Sequence, residues 1–192
     1  MQGHDVINIL SSQDLVLHML VALTGTPGTG KSTASELIRS QYDVVEIIDL
    51  VMKGGVSTVL DEDRDSLEID TGELDEYMLN ELIDRDVILV GHLSHFLSVG
   101  LIIVLRCQPS KLASRLRSRG WNDSKIKENI EAEGCDVILV ESIETAAEVC
   151  EIDTTNMSAR EVADVIEEIL AGEREKYAPG YVDWSNEVMS WF

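Results

Sequence analysis

An α/β fold, a doubly wound five-stranded parallel sheet flanked by helices, is predicted for this chain by three observations. Short apolar runs recur along it, MLVALT (19–24), DVVEIIDL (43–50), DVILVGH (86–92), GLIIVLRC (100–107) and VCEIDTT (149–155). Continuous runs of this kind suit strands buried on both faces of a sheet. Segments of helical periodicity separate them, and that alternation builds parallel sheets through crossover connections. Between the first run and the first helical segment lies a glycine-rich turn, GTPGTG.

Each element follows in order. TASELIRS (33–40) reads as an amphipathic helix after the turn, and 43–50 as the second strand. MKGGVSTVLDEDRDSLEID (52–70) is a polar, glycine-containing excursion with a hairpin-like finish. TGELDEYMLNELIDR (71–85) is expected to be a helix with Thr71 as N-cap, acids in the first turn and apolar positions at 74, 78, 79, 82 and 83. The third, fourth and fifth strands follow, and SAREVADVIEEILAG (158–172) closes the fold as a helix that Gly172 stops. Residues 1–18 carry no mark of such a sheet and read as an N-terminal extension, either an added element or an upstream start; 19–192 is expected to be one domain.

The turn has a chemistry of its own. Gly25-x4-Gly30-Lys31-Ser32 matches the Walker A pattern at every required position. Gly25, Gly28 and Gly30 allow successive N–H groups to point into one concavity, which favours anions. Lys31 supplies a point charge for the outer phosphates, Ser32 a hydroxyl for Mg²⁺, and the following helix its positive N-terminal end. Phosphate binding follows from these residues; the reaction does not.

Composition bounds the rest. A chain of 192 residues suits one domain with a sizeable core and small insertions. Fifteen basic against 36 acidic residues give a net charge of −21, spread over a chain that is 44% hydrophobic, so a solvated acidic surface over a folded core is expected. With nine arginines against six lysines, that surface suggests a halophilic source. Cys107, Cys135 and Cys150 are widely spaced and form no C-x-x-C, which argues against a disulfide framework or a four-cysteine zinc site. No run of 18 apolar residues and no basic leader is present, so the expected location is the cytoplasm.

Seven of the fifteen basic residues fall between Arg106 and Lys127, together with a single acid, Asp123. Lys111, Arg115 and Arg119 are spaced by four and would share one helix face. A row of guanidinium groups facing the phosphate loop could neutralise a transferring phosphoryl group. The plainer alternative is a basic helix paired with the acidic surface around it.

Six stretches together carry a resemblance: VALTGTPGTGKST, LDEDRDSLEIDTGELDEY, VGHLSHFL, RLRSRGWNDSKIKENIEAE, EIDTTNMSAREVADVIEEI and YVDWSNE. From about Met19 onward the chain resembles the archaeal branch of the adenylate kinase isoenzyme 6 family, small P-loop proteins that combine nucleoside monophosphate kinase and ATPase activity and assist maturation of the small ribosomal subunit. The resemblance implies a triphosphate loop over Gly25, Gly28, Thr29, Gly30, Lys31, Ser32 and Thr33. It implies arginines flanking a lid at Arg115 and Arg119, the short lid itself at Trp121–Lys127 within an insertion of about 111–130, and an adenine-side loop at Asp153–Met157 that includes Thr155 and Asn156. Residues 47–80 would hold the monophosphate, with Asp49, Arg64 and Asp70 as candidates alongside Gly91 and His92. One position departs from the family: Val90 stands where a metal-supporting acid is expected, two residues before His92, and Asp49 is a candidate to replace it.

The implied reaction is transfer of the γ-phosphoryl of ATP to AMP, with Mg²⁺ as cofactor and water as a slower acceptor. Lys31, Arg115, Arg119 and His92 are the implied catalytic residues, and Ser32 the metal-side hydroxyl. Ribosomal protein S11 and the small subunit are the implied partners. Alternatives are an assembly factor that uses ATP as a switch, with kinase turnover incidental, and a kinase for a small metabolite. A nucleic-acid-binding module is disfavoured by the charge of −21. His92 and His95, three apart, lack further zinc ligands of suitable spacing. His95 and Trp121 read as structural, while Tyr181 and Trp184 fit either core cover or a protein contact.

Overall fold

The computed structural model describes residues 19–61, 66–82 and 84–192. The elements run β1 (Leu20–Thr24), α1 (Lys31–Ile38), β2 (Val44–Glu46), α2 (Ile47–Leu50), a π-helical turn (Val51–Gly55), β3 (Thr58–Asp61), β4 (Ser66–Ile69) and α3 (Thr71–Leu82). They continue through β5 (Val87–Val90), a 3₁₀ turn (Ser94–Phe96), β6 (Leu101–Arg106), α4 (Pro109–Ser118), α5 (Asp123–Gly134), α6 (Val137–Ile143), β7 (Glu148–Asp153), α7 (Ala159–Leu170), a second 3₁₀ turn (Glu175–Tyr177) and α8 (Ser185–Met189). Five strands form one sheet in the order β2-β5-β1-β6-β7, every pairing parallel. β3 and β4 make a separate antiparallel hairpin, which is the predicted hairpin-like finish of the polar excursion.

Why the central strands read as unbroken apolar runs is now clear. Every residue of β1, β5 and β6 is buried. Alternate side chains serve opposite layers: Val21, Leu23, Leu101, Ile103 and Leu105 meet α1 and α7 through Ala34, Ile38, Val162 and Ile166. Leu20 and Leu89 point the other way, toward Leu74, Met78 and Leu82 of α3. Ala22, Ile102 and Val104 meet Leu139 of α6. Helices on both faces are what a parallel sheet requires. α7 begins with a capping box, in which Ser158 Oγ accepts from Glu161 N at 3.3 Å and Ser158 N donates to the Glu161 carboxylate at 2.7 Å. No helix of the described residues is long and apolar enough to cross a membrane.

Two local expectations change. The second strand ends at Glu46, and the chain turns into α2 because Ile47, Leu50 and Val51 are buried at helical spacing while Ile48 and Asp49 face solvent. α3 is capped by Asp70 and not by Thr71, since Asp70 Oδ1 accepts from Gly72 N at 2.9 Å and Glu73 N at 3.1 Å. The apolar run VILVES lies within α6, with Leu139 turned to the sheet.

Arg106 is the largest of the fully buried side chains, so this member of the basic island is a core ion and not part of a phosphate-facing row. Its Nε donates to Glu133 at 2.8 Å, Nη1 to Glu151 at 2.6 Å and Nη2 to the Glu133 carbonyl at 3.3 Å and to Asp136. Burial alone would lower its pKa, but Glu133 and Asp136 outweigh that and hold it above the ordinary arginine value. Glu133 also accepts from Thr26 Oγ1 at 2.5 Å, Cys107 N at 3.1 Å and Trp184 Nε1 at 3.3 Å. Glu151 accepts from Gly180 N at 2.8 Å. Arg106→Met should therefore lower unfolding free energy by about 3–5 kcal/mol at pH 7, because Glu133 and Glu151 lose their cation while still buried. Urea unfolding of the wild type and the variant at pH 7 measures it.

Candidate functional site

The site grows from the junction of β1 and α1. β1 delivers the chain at the carboxyl edge of the sheet, and the loop must then pass directly over β6. A Cβ on Gly25 would stand 2.3 Å from the Leu105 carbonyl oxygen, and its φ of +132° lies where side chains are strained. α1 starts at Lys31 with no side-chain cap; Gly30 precedes it in a left-handed conformation. Its first N–H groups thus face the loop's concavity, the arrangement that favours an anion.

Lys31 Nζ folds back onto the carbonyls of Gly25 and, at 3.2 Å, Thr26. Burial is the main cause that lowers its pKa to about 8, with Glu133 and Glu46 pulling it up and nearby Arg119 pushing it down. Ser32 Oγ donates to Glu46 Oε2 at 3.5 Å. Thr29 is buried, its hydroxyl bonded to the Thr26 carbonyl at 2.9 Å and its own carbonyl held by Thr154 Oγ1 at 2.8 Å. Its side chain braces the loop.

Two clefts of about 280 Å³ each flank this loop. The first is walled by Ile47, Ile48, Ile69, Val90 and Leu93, with Lys31, Ser32, Glu46, Gly91 and His92 as its polar or backbone groups. The second is walled by Met157, Ala159 and Val162, with Thr154 and Arg115 beside them. Gly28, Gly30, Thr33 and Arg119 line both. Each cleft thus pairs an apolar wall with polar groups at the loop, the second being the more polar of the two.

The expected residues fall into distinct places. Arg115 bridges the loop to the end of β7, donating to the Thr154 carbonyl at 2.8 Å, Thr154 Oγ1 at 3.3 Å and, at 3.5 Å, the Gly28 carbonyl. Arg119 follows α4, whose last residue is Ser118, and is the guanidinium shared by both clefts. Lys111 is exposed, and Arg117, Lys125 and Lys127 lie 3.6–4.0 Å from Asp123, Glu128 and Glu131. These four lie on the helix surface, whereas Arg119 lines the clefts beside the loop. Thr155 and Asn156 line neither cleft; Thr155 Oγ1 accepts from Gln108 N at 2.8 Å and donates to Asp153. Thr154 and Met157 stand in the cleft instead. Asp49 is exposed on α2 and Asp70 is occupied with capping α3, so neither lines the cleft. Arg64 lies outside the described residues.

Gly91 touches Ile47 so closely that a Cβ would come within 2.8 Å of Ile47 Cγ1. His92 lines the first cleft, and burial, then Lys31, His95 and Lys125, lower its pKa, so the imidazole is neutral at pH 7. His95 has both ring nitrogens engaged, Nδ1 with Thr24 Oγ1 at 3.0 Å and Nε2 with Glu141 at 3.1 Å. Trp121 packs on Leu112, Leu116 and Ile126. Tyr181 OH donates to the Glu151 carbonyl at 2.8 Å, so with Trp184 it ties the tail to the buried ions. Glu46 is the cleft residue that sequence reasoning missed. Its signal was an acid set within the apolar run DVVEIIDL, half-buried at the end of β2.

A family model described as "AAA domain" matches residues 21–136. The chain belongs to this family. Two archaeal relatives, each named "Putative adenylate kinase", come from Archaeoglobus fulgidus and Thermococcus onnurineus. The first is 47% identical over 174 residues (88% of this chain, 94% of the relative) and the second 41% identical over 171 residues (88% and 93%). Among solved structures, shikimate kinase from Acinetobacter baumannii in complex with shikimate aligns with a TM-score of 0.55 at 17% identity, covering 82% of this chain and 96% of that one. A gluconokinase from Sinorhizobium meliloti 1021 aligns at 0.54 and 18%, covering 83% and 95%. At such identities these two speak for the fold: the sheet, loop and flanking helices are those of P-loop kinases.

The lysine gives the loop a pH dependence. In the free protein Lys31 loses its proton through about pH 8, whereas a bound polyphosphate holds it protonated, so binding above pH 8 must take up a proton. Affinity for inorganic tripolyphosphate should therefore fall about tenfold between pH 7 and pH 9. Titration calorimetry in buffers of different ionisation enthalpy should show the proton uptake at pH 9, and Lys31→Met should remove it.

Proposed function

We propose that this chain is a nucleoside monophosphate kinase that transfers the γ-phosphoryl of ATP to AMP, forming two ADP, with water as a slower acceptor. One observation carries the reading: two clefts meet at one phosphate loop, and Arg119 lines both. A donor base lies against Met157 and Val162, and its phosphates run over Gly28–Thr33 toward the acceptor in the first cleft. Residues 47–80 with Gly91 and His92 form the acceptor side, and 111–130 the lid. The relatives' names support a nucleotide acceptor over a small metabolite.

Phosphoryl transfer of this kind needs positioning and charge neutralisation more than a protein nucleophile. Lys31 exchanges the Gly25 and Thr26 carbonyls for phosphate oxygens. Arg119 neutralises the equatorial oxygens between the two clefts, and Arg115 keeps the loop and the end of β7 in register. His92, neutral, adds a hydrogen-bonding group beside the acceptor without adding charge. Ser32 presents a hard oxygen in the first cleft and would hold Mg²⁺ there, which would supply neutralisation of the phosphate charge.

A second role, in small-subunit maturation with ribosomal protein S11 as partner, is supported by an apolar stripe on α6. Val137, Val140 and Ile143 recur every three residues and are 38%, 49% and 52% exposed. Capture of S11 by the wild-type chain and not by a Val140→Glu variant tests it.

ADP formation from ATP with AMP, a sugar alcohol or water, at low and at molar KCl, tests the kinase reading; equal rates with and without AMP would replace it with an ATPase. Lys31→Met should abolish transfer while circular dichroism and melting stay close to wild type, because the lysine serves charge in a loop and not the core. Arg119→Ala should lower the rate by tenfold or more. If only its melting temperature moves, Arg119 is a surface cation.

A further inference from the structure

The first cleft contains an anion where anions are to be bound. Among the described residues lining it, Glu46 is the one carboxylate, and it stands beside a loop built for phosphate. Such a residue repels the substrate unless a cation comes between them. β5, the neighbour of β1, ends in Val90, which is buried and apolar. Glu46 is Val90's partner across the parallel β2–β5 ladder, about 4.8 Å further from β1. The longer glutamate chain offsets part of that distance and brings Oε2 to 3.5 Å from Ser32 Oγ.

The contact has a direction. Ser32 donates its proton to Glu46, which leaves the hydroxyl's lone pairs for a cation in the cleft. Nearby acids are otherwise employed: Glu133 is taken by Arg106, Thr26, Cys107 and Trp184, and Asp49 is exposed outside the cleft. We propose that Glu46 is the carboxylate that supports the nucleotide-bound divalent cation in this protein, acting from β2 across the apolar Val90 and orienting Ser32. It is a positioning residue, which holds the cation's ligand and water shell and takes no part in the transfer itself. The proposal rests on the kinase reading above.

ADP binding, measured by calorimetry with and without Mg²⁺, separates the two ideas. Metal-free ADP reports the loop alone, and if the wild type binds ADP under neither condition the kinase reading falls. For Glu46→Gln, checked for an unchanged melting temperature, metal-free ADP should bind as tightly as in the wild type or tighter, since a repulsive charge is gone. The strengthening of ADP affinity by Mg²⁺ should drop about tenfold or more, as for loss of a group that orients a metal ligand. Paramagnetic resonance of Mn²⁺ titrated into the ADP complex should show the same weakening without any turnover. Restoration of the metal effect in Glu46→Gln/Val90→Asp would support a carboxylate moved across the ladder. A Glu46→Gln protein that keeps the full wild-type Mg²⁺ and Mn²⁺ response overturns the proposal and leaves the kinase reading standing.

Discussion

A guanidinium buried at the end of β6 organises the molecule. Taking Arg106 and its acids out of water costs several kcal/mol per ion, and mutual attraction offsets this only where the geometry satisfies every group. That requirement gathers distant segments. Glu133 comes from the end of α5, Glu151 from β7, and Thr26 from the phosphate loop, each with a hydrogen bond that depends on the others being in place. The tail joins through Gly180 and Trp184. Loop, α5, sheet and C-terminus therefore share one buried polar centre, and each is held in position by the same charge.

The consequence for the site is that its two sides have different mechanical standing. Around the second cleft, Arg115 and Thr154 tie the loop to the end of β7 through hydrogen bonds to backbone carbonyls, so the wall around Met157 is fixed to the sheet. Around the first cleft, Ile47, Ile48 and Ile69 come from a short helix and the end of a two-stranded hairpin outside the main sheet. Arg119, just beyond α4, is exposed and lines both clefts.

Sequence alone determined the sheet and the phosphate loop, because both are written in local patterns: unbroken apolar runs for strands covered on two faces, and glycines with Lys31 and Ser32 at fixed spacing. It also separated Arg115 and Arg119 from the other charges through resemblance, although a basic run by itself does not tell a phosphate-facing arginine from a core ion such as Arg106. What only the tertiary structure decided is which groups from different elements meet. Glu46 sits 14 residues from Ser32 and looks like an ordinary strand residue until β2 is laid against β5. Asp70 looks like a ligand until its carboxylate is seen on the first turn of α3. Thr154 replaces Thr155 in the cleft because β7 ends with alternate side chains facing opposite ways. Spacing along a chain specifies contacts within a turn or two; contacts across a parallel sheet depend on strand order and register, which the burial of both faces sets for the chain as a whole.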